Sequence, residues 1–227
     1  MSAQPEPNPC VYIVDDDQRV LTALSRLLSS AGYDVRAFNS PVEFLRGHDP
    51  DQPGCAILDI GMSEIDGLTL QEKLLSGGVR RPIIFLTAHN DAGSGVRAIK
   101  AGALDYLTKP VQDTGLLNAV AKGIDTDLKL RQQHKQIQEL LSLYKRLTAR
   151  EVEVLRLVIR GLLNKQIAFE LGIVEKTVKV HRGHIMQKLQ VHSVAALVRL
   201  GERLGISGAA GNAAQPQLQL QPKMDHH

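Results

Sequence analysis

Four places in the 227-residue chain hold side chains that could handle a phosphoryl group. Asp15, Asp16 and Asp17 close the apolar run VYIV, Asp59 closes CAIL, Thr87 closes PIIFL, and Lys109 follows LDYLT. Carboxylates gathered at one edge repel each other and push a pKa upward unless a cation shares the site. Mg²⁺ (or Mn²⁺) suits such a place, because it favours a few carboxylates, waters and phosphate oxygens. Add a hydroxyl and an ammonium, and the set fits in-line attack by Asp59 on phosphorus, with Lys109 and the metal holding the phosphoryl oxygens. Singly, each residue has a plainer meaning. A DD pair caps a helix more often than it binds metal, and Lys-Pro is usually a turn. The assignment rests on all four elements arriving in order at strand ends.

The surrounding elements explain how these residues could meet. VYIVD, DVRAF, CAILD, PIIFLT and LDYLT read as five short strands. Between them, RVLTALSRLLSSAG, SPVEFL, GLTLQEKLLS and AGSGVRAIKAG have helical spacing, and GLLNAVAKGI opens a fifth helix. Ser40, Pro41 and Glu43 form a helix-start signature. Strict alternation predicts right-handed crossovers and a parallel sheet covered on both faces. Chemistry in such sheets sits outside the carboxyl ends of the strands.

IVDDD, ILDI, FLTAH and DYLTKP, with their spacing, resemble the receiver domain of two-component response regulators over about residues 9–127. The resemblance implies a five-stranded, flavodoxin-like, doubly wound α/β fold. It implies that Asp59 accepts a phosphoryl group from a phosphohistidine on a sensor histidine kinase. Asp15 and Asp16 would form the acid pocket, and Asp16, Asp59 and the Gly61 carbonyl would hold the metal. Thr87 would hydrogen-bond the phosphoryl oxygen, Tyr106 would change rotamer with it, and Lys109 would contact the phosphate. The Lys109–Pro110 bond is cis in the family. The chain departs from the family pattern after the acceptor. Met62-Ser63 replaces the common Met-Pro, which is expected to loosen the loop, and Gly61 replaces a larger residue. Gly61 and His89 are expected to tune the lifetime of the phosphoryl group.

The second half has another character. Residues 1–125 hold 11 Lys+Arg against 16 Asp+Glu, whereas residues 126–206 hold 15 against 7. An acidic half joined to a basic half suggests two jobs, the second on a polyanion. Thr148-Ala149-Arg150-Glu151 is a capping box that opens an all-helical segment. NKQIAFELGIVEKTVKVHRG reads as a helix-turn-helix, with Gly172 at the break and a basic second helix. Together with LTAREVEVLRLVIRG and HIMQKL it resembles the C-terminal domain of LuxR-type regulators, making the whole chain similar to FixJ/NarL-type response regulators. By position, Lys179 and Val180 would face base edges, with His181 or Arg182 on bases or phosphates. Lys165 and Thr177 would contact phosphates, and SVAALVRLGERL would form a dimer surface. Val174 and Leu163 stand where a capping Ser is usual, and Asn164 could cap instead. GLLNKQIA resembles regulators of aromatic-hydrocarbon catabolism (styrene, toluene).

The resulting division is a flexible N-terminus (1–8), a receiver (9–127), a helical linker (128–146), a small all-α DNA-binding domain (147–206) and a disordered tail (207–227). The expected function is a phosphorylation-dependent transcriptional regulator, an activator by family habit. Phosphorylation would promote a homodimer on double-stranded promoter DNA, where it would engage RNA polymerase. Cys10 and Cys55 lie in strand-like runs without metal spacing and read as buried thiols. No apolar stretch approaches the ~20 residues needed to span a bilayer, and MSAQPEPNP lacks a signal-peptide pattern, so the expected location is the cytoplasm without membrane attachment. Two rivals stand. A metal-dependent aspartyl phosphatase would commonly place a second Asp where Gly61 stands, so only self-phosphotransfer and autodephosphorylation are expected. A protein-binding adaptor would leave the basic charge without a role.

Overall fold

The computed structural model describes residues 8–87 and 92–206, residues 92–95 as backbone only. The expectations for His89, for residues 1–7 and for the tail from 207 lie outside the described residues. The chain divides into two compact units between Gln132 and Gln133.

The first unit holds β1 (Cys10–Val14), β2 (Asp34–Phe38), β3 (Gly54–Asp59), β4 (Ile83–Thr87) and β5 (Asp105–Thr108). All pairs are parallel, in the order β2-β1-β3-β4-β5. This is the doubly wound order whose switch point falls between β1 and β3. Every residue of β1, β3 and β4 is buried, which is why those runs are apolar throughout, while the edge strands β2 and β5 include exposed positions. Alternation along the strands divides the core. Val11, Ile13, Cys55, Ile57, Ile84 and Leu86 meet α1 (Gln18–Ser30) and α5 (Asp113–Tyr144). Tyr12, Val14, Ala56, Leu58 and Phe85 meet α2 (Pro41–Gly47), α3 (Gly67–Ser76) and α4 (Ala92–Lys100). Cys10 and Cys55 fall on opposite faces, and burial raises both thiols, Cys55 to about 12.

Three local devices fix the strand ends. Ser40 Oγ accepts from the amides of Val42 and Glu43, starting α2 at Pro41. Gly67 starts α3 so close to the site that a Cβ there would lie 2.4 Å from the Asp59 carbonyl oxygen. At the other end of the sheet, two arginines bind the carbonyls of the loop before β3. Arg81 lies over the Tyr12 ring, 4.4 Å from its centroid, and donates to the carbonyls of Asp49 and Gln52. Arg131 donates to those of Pro50, Asp51 and Gln52. Asp127, 2% exposed, accepts from Arg131 Nε at 2.7 Å and from the Gly54 amide at 2.8 Å. Residues 128–144, read as a linker helix from the sequence, continue α5.

The second unit is helical: α6 (Ala149–Ile159), α7 (Asn164–Leu171), α8 (Glu175–Lys188) and α9 (Val194–Arg203). Val154, Leu155, Ile167, Val178, Ile185 and Leu197 form its core, and Leu140, Leu141 and Tyr144 of α5 pack against it. Thr148 and Glu151 make both bonds of the capping box. Gly172 ends α7 at φ 63°, the left-handed conformation a side chain disfavours. Among the described residues, no helix is long and apolar enough to cross a membrane.

Candidate functional site

The carboxyl ends of β1 and β3 bring Asp15, Asp16 and Asp59 together, with one ligand atom from each within 4.8 Å of the others. Asp15 is buried and has both oxygens engaged, Oδ1 by the Asp17 amide at 2.9 Å and Oδ2 by Lys109 Nζ at 2.7 Å. Lys109 Nζ is also 2.9 Å from Asp59 Oδ1. Asp16 is exposed, and its Oδ2 accepts from the Ser63 amide at 3.2 Å. Asp17 turns away. It caps α1 by accepting from the Arg19 amide, and Arg19 holds its carboxyl down at about 2. Three carboxylates, Asp15, Asp16 and Asp59, therefore meet at this edge, and Asp17 does not join them.

The electrostatics follow from this geometry. Burial raises the Asp59 carboxyl and the charges of Asp15 and Asp16 add to it, so that Lys109 only partly offsets the shift. Burial opposes the Lys109 charge, but the bonds to Asp15 and Asp59 outweigh it and raise the ammonium. Among the described residues, no hydrogen bond reaches Asp16 Oδ1 or Asp59 Oδ2. Three clustered carboxylates that keep two oxygens without a donor among the described residues are a hard-oxygen set that fits a small divalent cation.

Thr87, buried, ends β4 opposite Thr108, and its carbonyl accepts from the Lys109 amide at 2.8 Å. The Lys109–Pro110 bond is cis. Tyr106 is exposed on β5. A Cβ on Gly61 would stand 3.7 Å from Asp59 Oδ2, so a larger residue there would reach the acceptor.

In the second unit, α7, the turn at Gly172 and α8 form the helix pair. Val178, Ile185 and Leu189 point α8 inward, which leaves Lys176, Lys179, Val180 and Gly183 exposed. Lys165 on α7 is exposed, and Thr177 and His181 are partly buried. Lys179 lies 3.5 Å from Glu175, one turn earlier. Asn164 does not cap α7. Leu163 occupies the cap position without a side-chain bond, Gln166 accepts from the Leu163 amide, and Asn164 Oδ1 instead accepts from Arg182. Val174 likewise starts α8 without a side-chain cap. Glu151, buried at the start of α6, accepts from Lys188 at the end of α8 at 2.6 and 2.9 Å, which ties the basic helix to the unit's first helix.

Residues 11–121 match the response regulator receiver domain, and residues 145–200 match the luxR family of bacterial regulatory proteins. The response regulator protein TmoT of Ectopseudomonas mendocina is 49% identical over 194 residues, which are 86% of this chain and 88% of TmoT. The nodulation protein W of Bradyrhizobium diazoefficiens is 42% identical over 208 residues, 92% of this chain and 91% of that protein. The low-resolution structure of response regulator StyR superposes with a TM-score of 0.77 at 47% identity, covering 86% of this chain and 99% of StyR.

The chain belongs to the two-component response regulators with a LuxR-type DNA-binding domain.

Three features of this response regulator escaped the sequence reading. Asp17 as a cap was legible in principle, because Asp before a periodic run is an N-cap signal. The bond from Arg182 to Asn164 and the bond from Ser63 to Asp16 join residues far apart in the chain and leave no local pattern. The second bears on the missing proline: where a looser loop was expected, the Ser63 amide makes a tie that proline, lacking an N–H, cannot make.

Proposed function

We propose that this response regulator is controlled by phosphorylation of Asp59. A carboxylate oxygen of Asp59 attacks the phosphorus of a phosphohistidine on a sensor kinase, forming a P–O bond as the P–N bond breaks. The electron pair leaves on the imidazole, which then takes a proton. Asp16, Asp59 and the Gly61 carbonyl hold Mg²⁺, which when bound neutralises charge on the transferring oxygens. Lys109, already between Asp15 and Asp59, moves its charge onto the phosphoryl group, and the Thr87 hydroxyl donates to a phosphoryl oxygen. Gly61 and His89 set the hydrolysis rate. No turnover of external phosphoesters accompanies this. The observation that carries the reading is the Asp15, Asp16, Asp59 and Lys109 cluster at the switch point of the sheet.

The exposed Val96, Ile99 and Tyr106 on α4 and β5 provide the face that repacks with Thr87 and pairs two copies. Paired DNA-binding domains then occupy two half-sites, with α9 as a further dimer surface. Lys165 and Thr177 hold phosphates, Lys179 and Val180 read base edges, and His181 adds a contact. Arg182 joins them by exchanging Asn164 for DNA. The dimer recruits RNA polymerase to a promoter in the cytoplasm, and the GLLNKQIA resemblance supports an aromatic-catabolism operon.

Footprinting on promoter DNA with and without acetyl phosphate tests the reading. Acetyl phosphate is expected to extend protection for the unsubstituted chain and to do nothing for Asp59→Asn. Equal protection by Asp59→Asn under acetyl phosphate would refute phospho-control.

A further inference from the structure

The loop between β3 and α3 ties three elements together. Met62, 6% exposed, anchors it in the core beneath. The next residue, Ser63, donates its amide to Asp16 Oδ2 at 3.2 Å. The one after, Glu64, accepts from the Ser40 hydroxyl at 3.3 Å, and Ser40 is the cap of α2. Two consecutive loop residues thus bridge the acid pocket to the start of a helix. Asp16 depends on this more than its neighbour does. Asp15 is buried and bonded at both oxygens, whereas Asp16 is exposed and, among the described residues, its carboxylate accepts only the Ser63 amide.

We propose that Ser63 is a positioning residue for the divalent cation, acting through its backbone N–H. The amide occupies Asp16 Oδ2 and stops the exposed carboxylate from rotating, which reserves Oδ1 for the metal. Partners that orient a metal ligand in this way typically contribute about 10- to 100-fold in affinity. A single exposed bond of 3.2 Å belongs at the lower end. Coupling is reciprocal, so a cation that binds tighter because the bond exists must strengthen the bond by the same factor. The inference rests on the magnesium reading of Asp15, Asp16 and Asp59.

The test uses the full chain and a pair of substitutions that separate amide from side chain. Ser63→Ala keeps the N–H and Ser63→Pro deletes it. Mg²⁺ titration by calorimetry is expected to give Ser63→Ala an affinity within about twofold of the unsubstituted chain, and Ser63→Pro a loss of about tenfold. Hydrogen exchange at the Ser63 amide of the unsubstituted chain is expected to slow by about the same factor on saturation with Mg²⁺. This second measurement stands even if Ser63→Pro disturbs the loop. Equal Mg²⁺ affinity for Ser63→Pro and the unsubstituted chain overturns the inference and leaves the metal site intact. So does an equal loss in both variants, or exchange that ignores Mg²⁺. Absence of Mg²⁺ binding by the unsubstituted chain overturns the metal site and the inference together.

Discussion

Removing Glu151 is expected to cost the DNA-binding domain a large part of its stability. The residue is 3% exposed, and its carboxylate closes the capping box of α6 by accepting from the Thr148 amide. Its two oxygens also accept from Lys188. Losing half of a capping box costs about 1 kcal/mol. Losing charge-assisted bonds to a buried acceptor costs roughly 1.5–3 kcal/mol more. The Lys188 side chain is 32% exposed, so water takes up most of its stranded charge and adds little to the cost. The sum for Glu151→Ala is about 2.5–4 kcal/mol. Residues 147–206, at about 0.05–0.15 kcal/mol each, have roughly 3–9 kcal/mol to lose. Glu151→Gln keeps an acceptor for Thr148 and is expected to lose about half as much. Urea unfolding of the full chain checks this, with hydrogen exchange at α6 and α8 amides reporting this domain alone. The pH dependence has a definite sign. Burial raises the Glu151 carboxyl, but bonds from Lys188 and Thr148 outweigh it and hold it below its usual 4.5. The advantage of Glu over Gln is therefore complete above that value and disappears as pH falls through the lowered one. A cost under about 0.5 kcal/mol for Glu151→Ala would refute the reasoning, because that is the scatter of ordinary surface changes.

Three further outcomes are expected. Gly67→Ala drives a Cβ to within 2.4 Å of the Asp59 carbonyl oxygen, so the receiver loses about 1–3 kcal/mol in urea unfolding and accepts phosphate more slowly from a small donor. Asp127→Ala strands the Gly54 amide and frees Arg131, and exchange at Gly54 is expected to speed up as the receiver loses roughly 2–3 kcal/mol, whereas Asp127→Asn, which retains an acceptor, loses less. Leu163→Ser and Val174→Ser supply hydroxyls at two extended, exposed cap positions that lack side-chain bonds, so each is expected to stabilise the DNA-binding domain by about 1 kcal/mol in thermal unfolding.

What could be read in the sequence was whatever depends on neighbours in the chain. β1, β3 and β4 are buried on both faces and so carry unbroken apolar runs, which mark them as strands and as central. Ser40-Pro41 and Thr148 to Glu151 signal helix starts within four residues, and the helices begin there. The acids at the strand ends were legible because parallel topology fixes where strand ends go. Contacts between distant segments were not. Asp127 and Gly54 are 73 residues apart, and Lys188 and Glu151 are 37 apart, so no periodicity betrays either bond. Asn164 shows the reverse error: a residue type with a strong capping habit was taken by Arg182, whose reach across the helix pair only the fold reveals.

The two thiols provide an unplanned gauge. Both lie in the receiver, on opposite faces of its sheet, and burial keeps them protonated and out of reach. The DNA-binding domain has none. A thiol-specific alkylating reagent will therefore mark a molecule only in moments when the receiver opens, and Cys10 and Cys55 will record which layer parted first. The opening of the receiver can be followed in this way without inserting a dye or altering a single residue.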